Sequence, residues 1–581
     1  MTDPRMVATK GVLLNHDAPL TTADLLRRRA ADDHSALLFE DSQWSWREFV
    51  AESSRRAHLF QNLHDPDRPF HIGIMLENVP DYLFAIGGAA FAGGTAVGIN
   101  LTRNGEELAA DIRYTDCEMI ITDSVLVRRL EGLELGLRPD KIILIDSSEY
   151  SSRLDSYRDH GIPDAPAAHD PQTQLLLLFT SGSTGNPKAV ICSTGRFARI
   201  ASRAHMNLGR EDVSYNAMPL FHGNALMACW SNPLYTGGTF ALARKFSASR
   251  FVDDLLKFKA TYFNYVGRAL AYVLSQPERP EEKQTFLKFA FGTEASKVDR
   301  EEFERRFGIV PTESYGASEG GLAIIRTADT PEDALGRPRD DMRAAILDPE
   351  TLEECARARF DRNGRLLNAD EAVGEMANLT GARQFEGYYK NPSAADERIR
   401  GDIFLTGDLG YCDEDGYFYF AGRAGEKLRV DSENFSAAPI ERILSRHPQV
   451  VLAAVYPAPD ERTGDQVMAT LQVADPRRFD PGEFAQFLED QPDLGTKWAP
   501  KYVRIVTDVP VTATRKINKV QLRNELWYVD DVIYYRPSAD LQYRLLTQKD
   551  VDRISADFDK NSRANLLTAL HTSDYAQSRR K

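Results

Sequence analysis

A chain of 581 residues with 42% apolar and 27% charged residues has the composition of a folded globular protein of roughly three or four domain-sized units, neither disordered nor a small disulfide-stapled scaffold. Against 71 Lys and Arg stand 86 Asp and Glu; the net charge of −15 excludes a broad nucleic-acid surface, because phosphate backbones need a basic face. The cysteines, Cys117, Cys192, Cys229, Cys355 and Cys412, form no C-x-x-C pair and read as reduced thiols of a cytoplasmic protein rather than a metal site.

The opening stretch, MTDPRMVATKGVLLNHDAP, lacks the apolar core of a secretory signal. Apolar spacing predicts helices over 23–29 and 46–60 and short buried strands over 71–75, 119–121 and 141–145. The uncharged run YLFAIGGAAFAGGTAVGINLT is long enough for a membrane span, but Gly87, Gly88, Gly93, Gly94 and Gly98 interrupt it. It reads as a small-residue helix ending near Gly93-Gly94, then a buried strand over 95–99. Helices alternating with strands imply βαβ units, hence an α/β fold with mostly parallel, helix-covered sheets.

From about 344 to 423 the pattern turns β-rich, with strands over 374–379, 403–406 and 417–421 and a hairpin signal at Asp415-Gly416. The stretch AGEKLRVDSEN reads as a charged, flexible boundary. Ser436 then caps a helix to about 446, with Ile440, Ile443 and Leu444 on one face. Strands over 450–456, 467–473 and 502–505 and a helix over 481–488 complete a small α+β domain. The expected organisation is a large domain over 1–423, a junction at 424–427, a small domain over 428–545 and a charged peripheral tail over 546–581.

The strongest local signal is LLLLFTSGSTGNPK, 175–188. A buried strand runs straight into Thr180, Ser181, Gly182, Ser183, Thr184 and Gly185. Glycines let the backbone turn its N–H groups inward and the hydroxyls add donors, a nest suited to phosphate oxygens, with Lys188 at its rim. Pro187 before the lysine distinguishes it from a Walker A loop, which places Gly-Lys-Ser/Thr together and would point to a plain nucleoside triphosphatase. Taken alone, Ser-Gly-Ser-Thr-Gly also suits an ordinary surface turn.

T-S-G-S-T-G-N-P-K resembles the phosphate loop of the adenylate-forming enzymes: acyl-CoA synthetases, nonribosomal-peptide adenylation domains and luciferases. Further segments match in family order over nearly the whole chain: AMPLFHGNA from Ala217, YGASEG from Tyr315, GEM from Gly374, GYYKNP from Gly387, TGD from Thr406, Gly422-Arg423, and PVTATRK from Pro510. Around Tyr265-Val266-Gly267, FERRFGIVPTESYGASEG and GEKLRVDSEN the chain is most similar to the fatty-acid-transport-protein, or very-long-chain acyl-CoA synthetase, subgroup.

The resemblance implies that a carboxylic acid, fatty or steroid-like, is activated by ATP and Mg2+ to an acyl-adenylate with loss of pyrophosphate, and then passed to coenzyme A with loss of AMP. It implies Lys516, Glu319, Thr184 and His222 as catalytic groups. Glu319, with Thr184, is the expected magnesium partner, since a hard cation prefers oxygen ligands; outside its motif it would read as a turn-capping carboxylate. Lys516 is the expected cation that escorts the carboxylate to the α-phosphate; by spacing alone Arg515, Lys516 and Lys519 would form a solvated cluster. Thr293, Glu294, Ala295, Tyr315 and Gly316 are expected to enclose adenine, Asp408 to accept from the ribose hydroxyls, since a carboxylate suits a vicinal diol, and Arg423 to reach the ribose or phosphate or else to stand as an exposed charge at the junction; Ala317, Ser318 and Phe420 are expected in the same nucleotide-binding set. His222, Asn224, Trp230, Tyr265, Gly267 and Gly292 are expected to line the acyl pocket, although a lone histidine or buried aromatic is more often structural.

A hinge at Gly425, where many relatives carry Asp or Lys, would swing the small domain between the two steps. Ser432 and Arg515 stand where the family pattern has glycine, and the first of these puts the thiol step in question. Rival readings are an acyl-AMP ligase that loads a carrier protein and a non-catalytic acyl- or nucleotide-binding uptake protein; no G-x-S carrier site follows Lys516. The lipophilic acid leaves a peripheral membrane contact open.

Overall fold

The computed structural model describes residues 20–567 except 181–187, 204–207, 267–268, 363–365, 424–426, 431–432, 462–464, 492–493, 512–515 and 538–539 and the single positions 294, 296, 496, 562 and 565. The chain divides into two compact units, one of Met1–Thr180, Ala189–Asn264 and Gln284–Lys288, the other of Ser181–Lys188, Tyr265–Lys283 and Phe289–Lys581.

The first unit is α/β. One sheet runs in the order Ile142–Leu144, Met119–Thr122, His71–Ile74, Thr95–Gly98, Gln174–Thr180 and then the strand beginning at Lys188. The strands from Ile142 through Thr180 pair in parallel. A second sheet pairs Val213–Asn216, Thr239–Leu242 and Ser35–Phe39 in parallel, with Ser42–Ser45 antiparallel at the edge.

The glycine-rich apolar run is a buried helix, Pro80–Ala92, opened by proline at its first position and stopped by Gly93 in the left-handed conformation (φ 73°). A Cβ there would fall 2.6 Å from the Ala167 Cβ, so both backbone and packing demand glycine. Among the described residues no helix is long and apolar enough to cross a membrane. The five cysteines form no disulfide, and all but Cys355 are buried.

The second unit carries Phe289–Thr293 paired in parallel with Pro311–Gly316. Its β-rich part has strands where the sequence predicts them, and Ala344–Leu347, Gly374–Asn378, Ile403–Cys412 and Phe418–Arg423 pair antiparallel in succession. Asp415-Gly416 turns the last hairpin, with Gly416 at φ 82°. A bidentate ion pair between Arg306 and Glu282 is almost wholly buried, with Nε to Oε2 at 2.8 Å. Removing one member strands a buried charge. Glu282→Ala is therefore expected to cost about 3–5 kcal/mol, read as a lowered urea midpoint, whereas substitution of the half-buried Glu281, whose ion pair with Arg279 is partly solvated, is expected to move that midpoint far less.

The C-terminal residues build a sheet in the order Val450–Pro459, Asp465–Val473, Tyr502–Val506, Val532–Tyr535 and Arg544–Leu545, with helices Ala437–Leu444 and Pro481–Glu489. Ile440, Ile443 and Leu444 are buried as their spacing predicts. Two expectations fail here. The stretch after Arg423 is not simply a flexible boundary: Lys427–Val430 and Glu433–Ser436 pair antiparallel, and Leu428 and Val430 enter the core. The described part of the tail is not peripheral either. Gln548–Lys560 is a helix with a Thr547–Asp550 capping box, and Val551, Ile554 and Phe558 pack into a core cluster with Tyr502 and Trp527.

Candidate active site

The strand entering the expected phosphate loop, Gln174–Thr180, is buried from Leu175 to Phe179. Ser181, Gly182, Ser183, Thr184 and Gly185 lie outside the described residues. Where the chain resumes, Lys188 is buried, its Nζ 3.8 Å from Glu397 Oε2 and 5.4 Å over the Tyr388 ring.

The strand Pro311–Gly316 delivers Tyr315, whose hydroxyl donates to Asp408 Oδ2 at 2.6 Å. Asp408 ends the TGD turn, in which Thr406 Oγ1 donates to the Met376 carbonyl at 2.7 Å and accepts from the Asp408 N–H at 3.1 Å. Arg423 lies opposite Asp408 in the antiparallel register, and Phe420 packs with Tyr315 against Leu322, Ile324 and Met376. Gly316 and Ala317 are exposed and Ser318 half-buried; the Ala317 carbonyl accepts from the Gly320 N–H at 3.0 Å, closing a turn. That turn presents Glu319, whose Oε1 accepts from the Tyr388 hydroxyl at 3.0 Å. The expected base, ribose and metal positions thus converge within one unit.

Thr293 ends its strand and Glu294 lies outside the described residues. The Ala295 N–H donates to Glu313 Oε1 at 2.7 Å, and Arg300 donates to Glu313 Oε2 at 2.8 Å. Burial raises the Glu313 carboxyl above its usual range, opposed by Arg300. The Tyr265 phenol, pushed up mainly by burial, lies near this carboxyl. Its ring covers Gly292, where any Cβ would strike it. Tyr265 therefore packs against the segment expected around adenine. Glu313 escaped the sequence reading although it lies two positions before Tyr315 on the same strand.

In the first unit, side-chain amides hold the AMPLFHGNA segment. Asn78 Nδ2 donates to the Met218 and Ala243 carbonyls, each at 3.0 Å, and its Oδ1 accepts from the Leu220 N–H at 3.0 Å. His222 is half-buried, its ring 4.6 Å from that of Phe221. Asn224 Oδ1 accepts from Asn264 Nδ2 at 2.5 Å and opens a π-helix, Asn224–Trp230, which no local pattern announces. Trp230 departs from expectation: its large apolar ring is fully buried with Phe49 and Phe197, at 6.3 and 5.6 Å between centroids, and packs as core. Gly267 and Gly425 lie outside the described residues, as do Ser432 and Arg515.

Lys516 is half-buried next to Ile517, which bridges to Val511; the Asn518 N–H donates to the Pro510 carbonyl at 2.8 Å, closing the segment into a loop. The neighbouring Lys519 pairs with Glu441 at 2.9 Å, which assigns it to holding the small fold together and separates it from Lys516. Among the described residues no group of three or more His, Cys, Asp or Glu could hold a metal on its own.

The AMP-binding enzyme family model matches residues 26–389, and the model of the AMP-binding enzyme C-terminal domain matches 439–516. Steroid-22-oyl-CoA synthetase of Rhodococcus jostii RHA1 is 48% identical over 550 residues, 94% of this chain and 99% of that one. The medium/long-chain-fatty-acid–CoA ligase FadD17 of Mycobacterium marinum is 40% identical over 504 residues, covering 86% and 95%. Among solved structures, ATP-bound MatB from Rhodopseudomonas palustris superposes with a TM-score of 0.74 at 21% identity, over 87% of this chain and 98% of that one. The anthranilate CoA ligase AuaEII in complex with anthranoyl-AMP gives 0.75 at 20% identity, over 87% and 96%. Motif order, fold and relatives agree: the chain belongs to the AMP-binding, adenylate-forming enzymes and, within them, to the acyl-CoA ligases.

Proposed function

We propose that this ligase activates a bulky lipophilic acid of the steroid side-chain class in the cytoplasm, with Glu319, Lys188, Asp408, Tyr315 and Lys516 as its working groups. The substrate class rests on the greater identity to the steroid-22-oyl relative than to the fatty-acid relative. The single observation carrying the site is the convergence of Tyr315 on Asp408 and of Tyr388 on Glu319.

A carboxylate oxygen of the acid attacks the α-phosphorus of ATP and pyrophosphate leaves. The thiol sulfur of coenzyme A then attacks the acyl carbon, its proton is lost, and AMP departs with that carboxylate oxygen. Lys188 offsets phosphate charge, Asp408 accepts from the ribose hydroxyls, Tyr315 covers the base, and Lys516 meets the carboxylate as it approaches the phosphate. Each places charge or a hydrogen bond where charge develops. A carboxylate offering an oxygen donor, without a closed protein cage, suits magnesium, which keeps waters and phosphates in its shell. Glu319 would hold it, with Thr184, and it would neutralise the triphosphate. Glu319 and Lys516 are catalytic in this reading.

The test is pyrophosphate release over a panel of steroid side-chain, long-chain and short acids, with and without coenzyme A. The reading expects the highest kcat/KM on the steroid acids and thioester only with coenzyme A. A preference for straight-chain acids overturns the substrate assignment; thioester formation only on a carrier protein overturns the acceptor.

A further inference from the structure

One arginine joins the segments around Glu319. Arg398 lies in the turn between the helix Pro392–Asp396 and the strand Ile403–Cys412. Its N–H donates to the Ala395 carbonyl at 2.9 Å and its own carbonyl accepts from the Leu405 N–H at 2.7 Å, so the main chain is held on both sides. The half-buried guanidinium lies on the backbone of Gly407, where any side chain would collide with it. Gly407 also needs its left-handed φ of 76°. From there the Arg398 guanidinium lies beside the Tyr388 hydroxyl and the carboxylates of Glu319 and Glu375. Glu375 Oε1 in turn accepts from the Gly407 N–H at 2.6 Å.

Tyr388 is therefore held from three sides. Its oxygen lies beside the Arg398 guanidinium, its proton goes to Glu319 Oε1, and its ring face carries the Lys188 ammonium. A cation beside the phenol oxygen makes the phenol a stronger donor to a carboxylate, so the two contacts reinforce one another. Fixing one oxygen of Glu319 fixes the direction of the other.

We propose that Tyr388 and Arg398 are positioning residues for Glu319: Arg398 orients the Tyr388 hydroxyl, and that hydroxyl aims the carboxylate at the divalent cation that accompanies the triphosphate. This rests on the reading of Glu319 as the carboxylate that meets the cation. Partners that orient a metal-binding carboxylate typically carry about 10–100-fold in metal affinity or activity. Asp408 and Tyr315 have no part in the relay, so nucleoside binding is expected to be independent of it.

The test uses the full-length enzyme with Tyr388→Phe, Arg398→Met, Arg398→Lys and Glu319→Gln. Mn2+ binding in the presence of α,β-methylene-ATP is measured by electron paramagnetic resonance, AMP binding by calorimetry, and Mg2+ half-saturation in acid-dependent ATP–pyrophosphate exchange. Tyr388→Phe and Arg398→Met are expected to weaken Mn2+ binding about tenfold, to raise the Mg2+ half-saturation in parallel, and to leave AMP affinity unchanged. Arg398→Lys recovers part of the loss. If Glu319→Gln abolishes Mn2+ binding while Tyr388→Phe matches the parent, the relay is overturned and the role of Glu319 stands. If Glu319→Gln itself leaves Mn2+ binding intact, the underlying reading fails instead. Tyr388→Phe keeps the ring, so the test survives if Arg398→Met does not fold. Equal losses of AMP and Mn2+ binding in Tyr388→Phe would mark a structural brace and also overturn the proposal.

Discussion

Lys516→Ala is expected to lower acid-dependent ATP–pyrophosphate exchange by about 10²–10³-fold, while thioester formation from supplied acyl-adenylate falls by less than about tenfold. The first step drives a carboxylate toward a polyanion, and one well-placed cation there stabilises the transition state by about 3–4 kcal/mol. The second step attacks a carbonyl that is already activated and needs no such charge. Lysine suits the task because its ammonium is a point charge on a long stem. Lys519, three positions on and paired with Glu441, provides the control: Lys519→Ala is expected to affect stability and leave both steps in place. Equal losses of both half-reactions in Lys516→Ala would refute its assignment to the first.

Glu319→Ala is expected to reduce pyrophosphate exchange by at least about 10²-fold at millimolar magnesium, with AMP affinity retained. The asymmetry follows from the geometry. Glu319 and Tyr388 form one contact, Tyr315 and Asp408 another, and only the first involves the triphosphate in this account. Comparable loss of AMP binding would show that the two contacts are one structural unit, and full exchange activity would remove Glu319 from the mechanism.

The parts of the fold visible in the sequence are those written locally. The uncharged run after Asp81 resolves into helix, turn and strand because Gly93 is a stop signal readable without any tertiary contact. The TGD and YGASEG segments are likewise compact, and each places its acidic residue by its own turn. The helix Gln548–Lys560 was also legible: Val551, Ile554 and Phe558 follow a helical period behind a Thr-x-x-Asp cap, but charged residues between them suggest a solvated tail. The hairpin after Arg423 hides in the same way, since Leu428 and Val430 alternate among charges.

What the sequence cannot show is contact at a distance. Tyr388 and Glu319 lie 69 positions apart, and GYYKNP reads only as a β-rich motif until the fold turns the phenol onto the carboxylate. Arg398 has no local pattern at all; its meaning comes from Gly407, Tyr388 and Glu375 around it. Trp230 shows the opposite failure, because an aromatic near a binding motif looks like pocket lining until Phe49 and Phe197 enclose it.

The most direct measurement of the central chemistry follows the acid's own oxygen. The enzyme is supplied with ATP, coenzyme A and a steroid side-chain acid labelled with oxygen-18 in its carboxylate, and the products are read by mass spectrometry. Attack on the α-phosphorus predicts one labelled oxygen in AMP and none in pyrophosphate. Label in inorganic phosphate or pyrophosphate, with AMP unlabelled, would contradict the account.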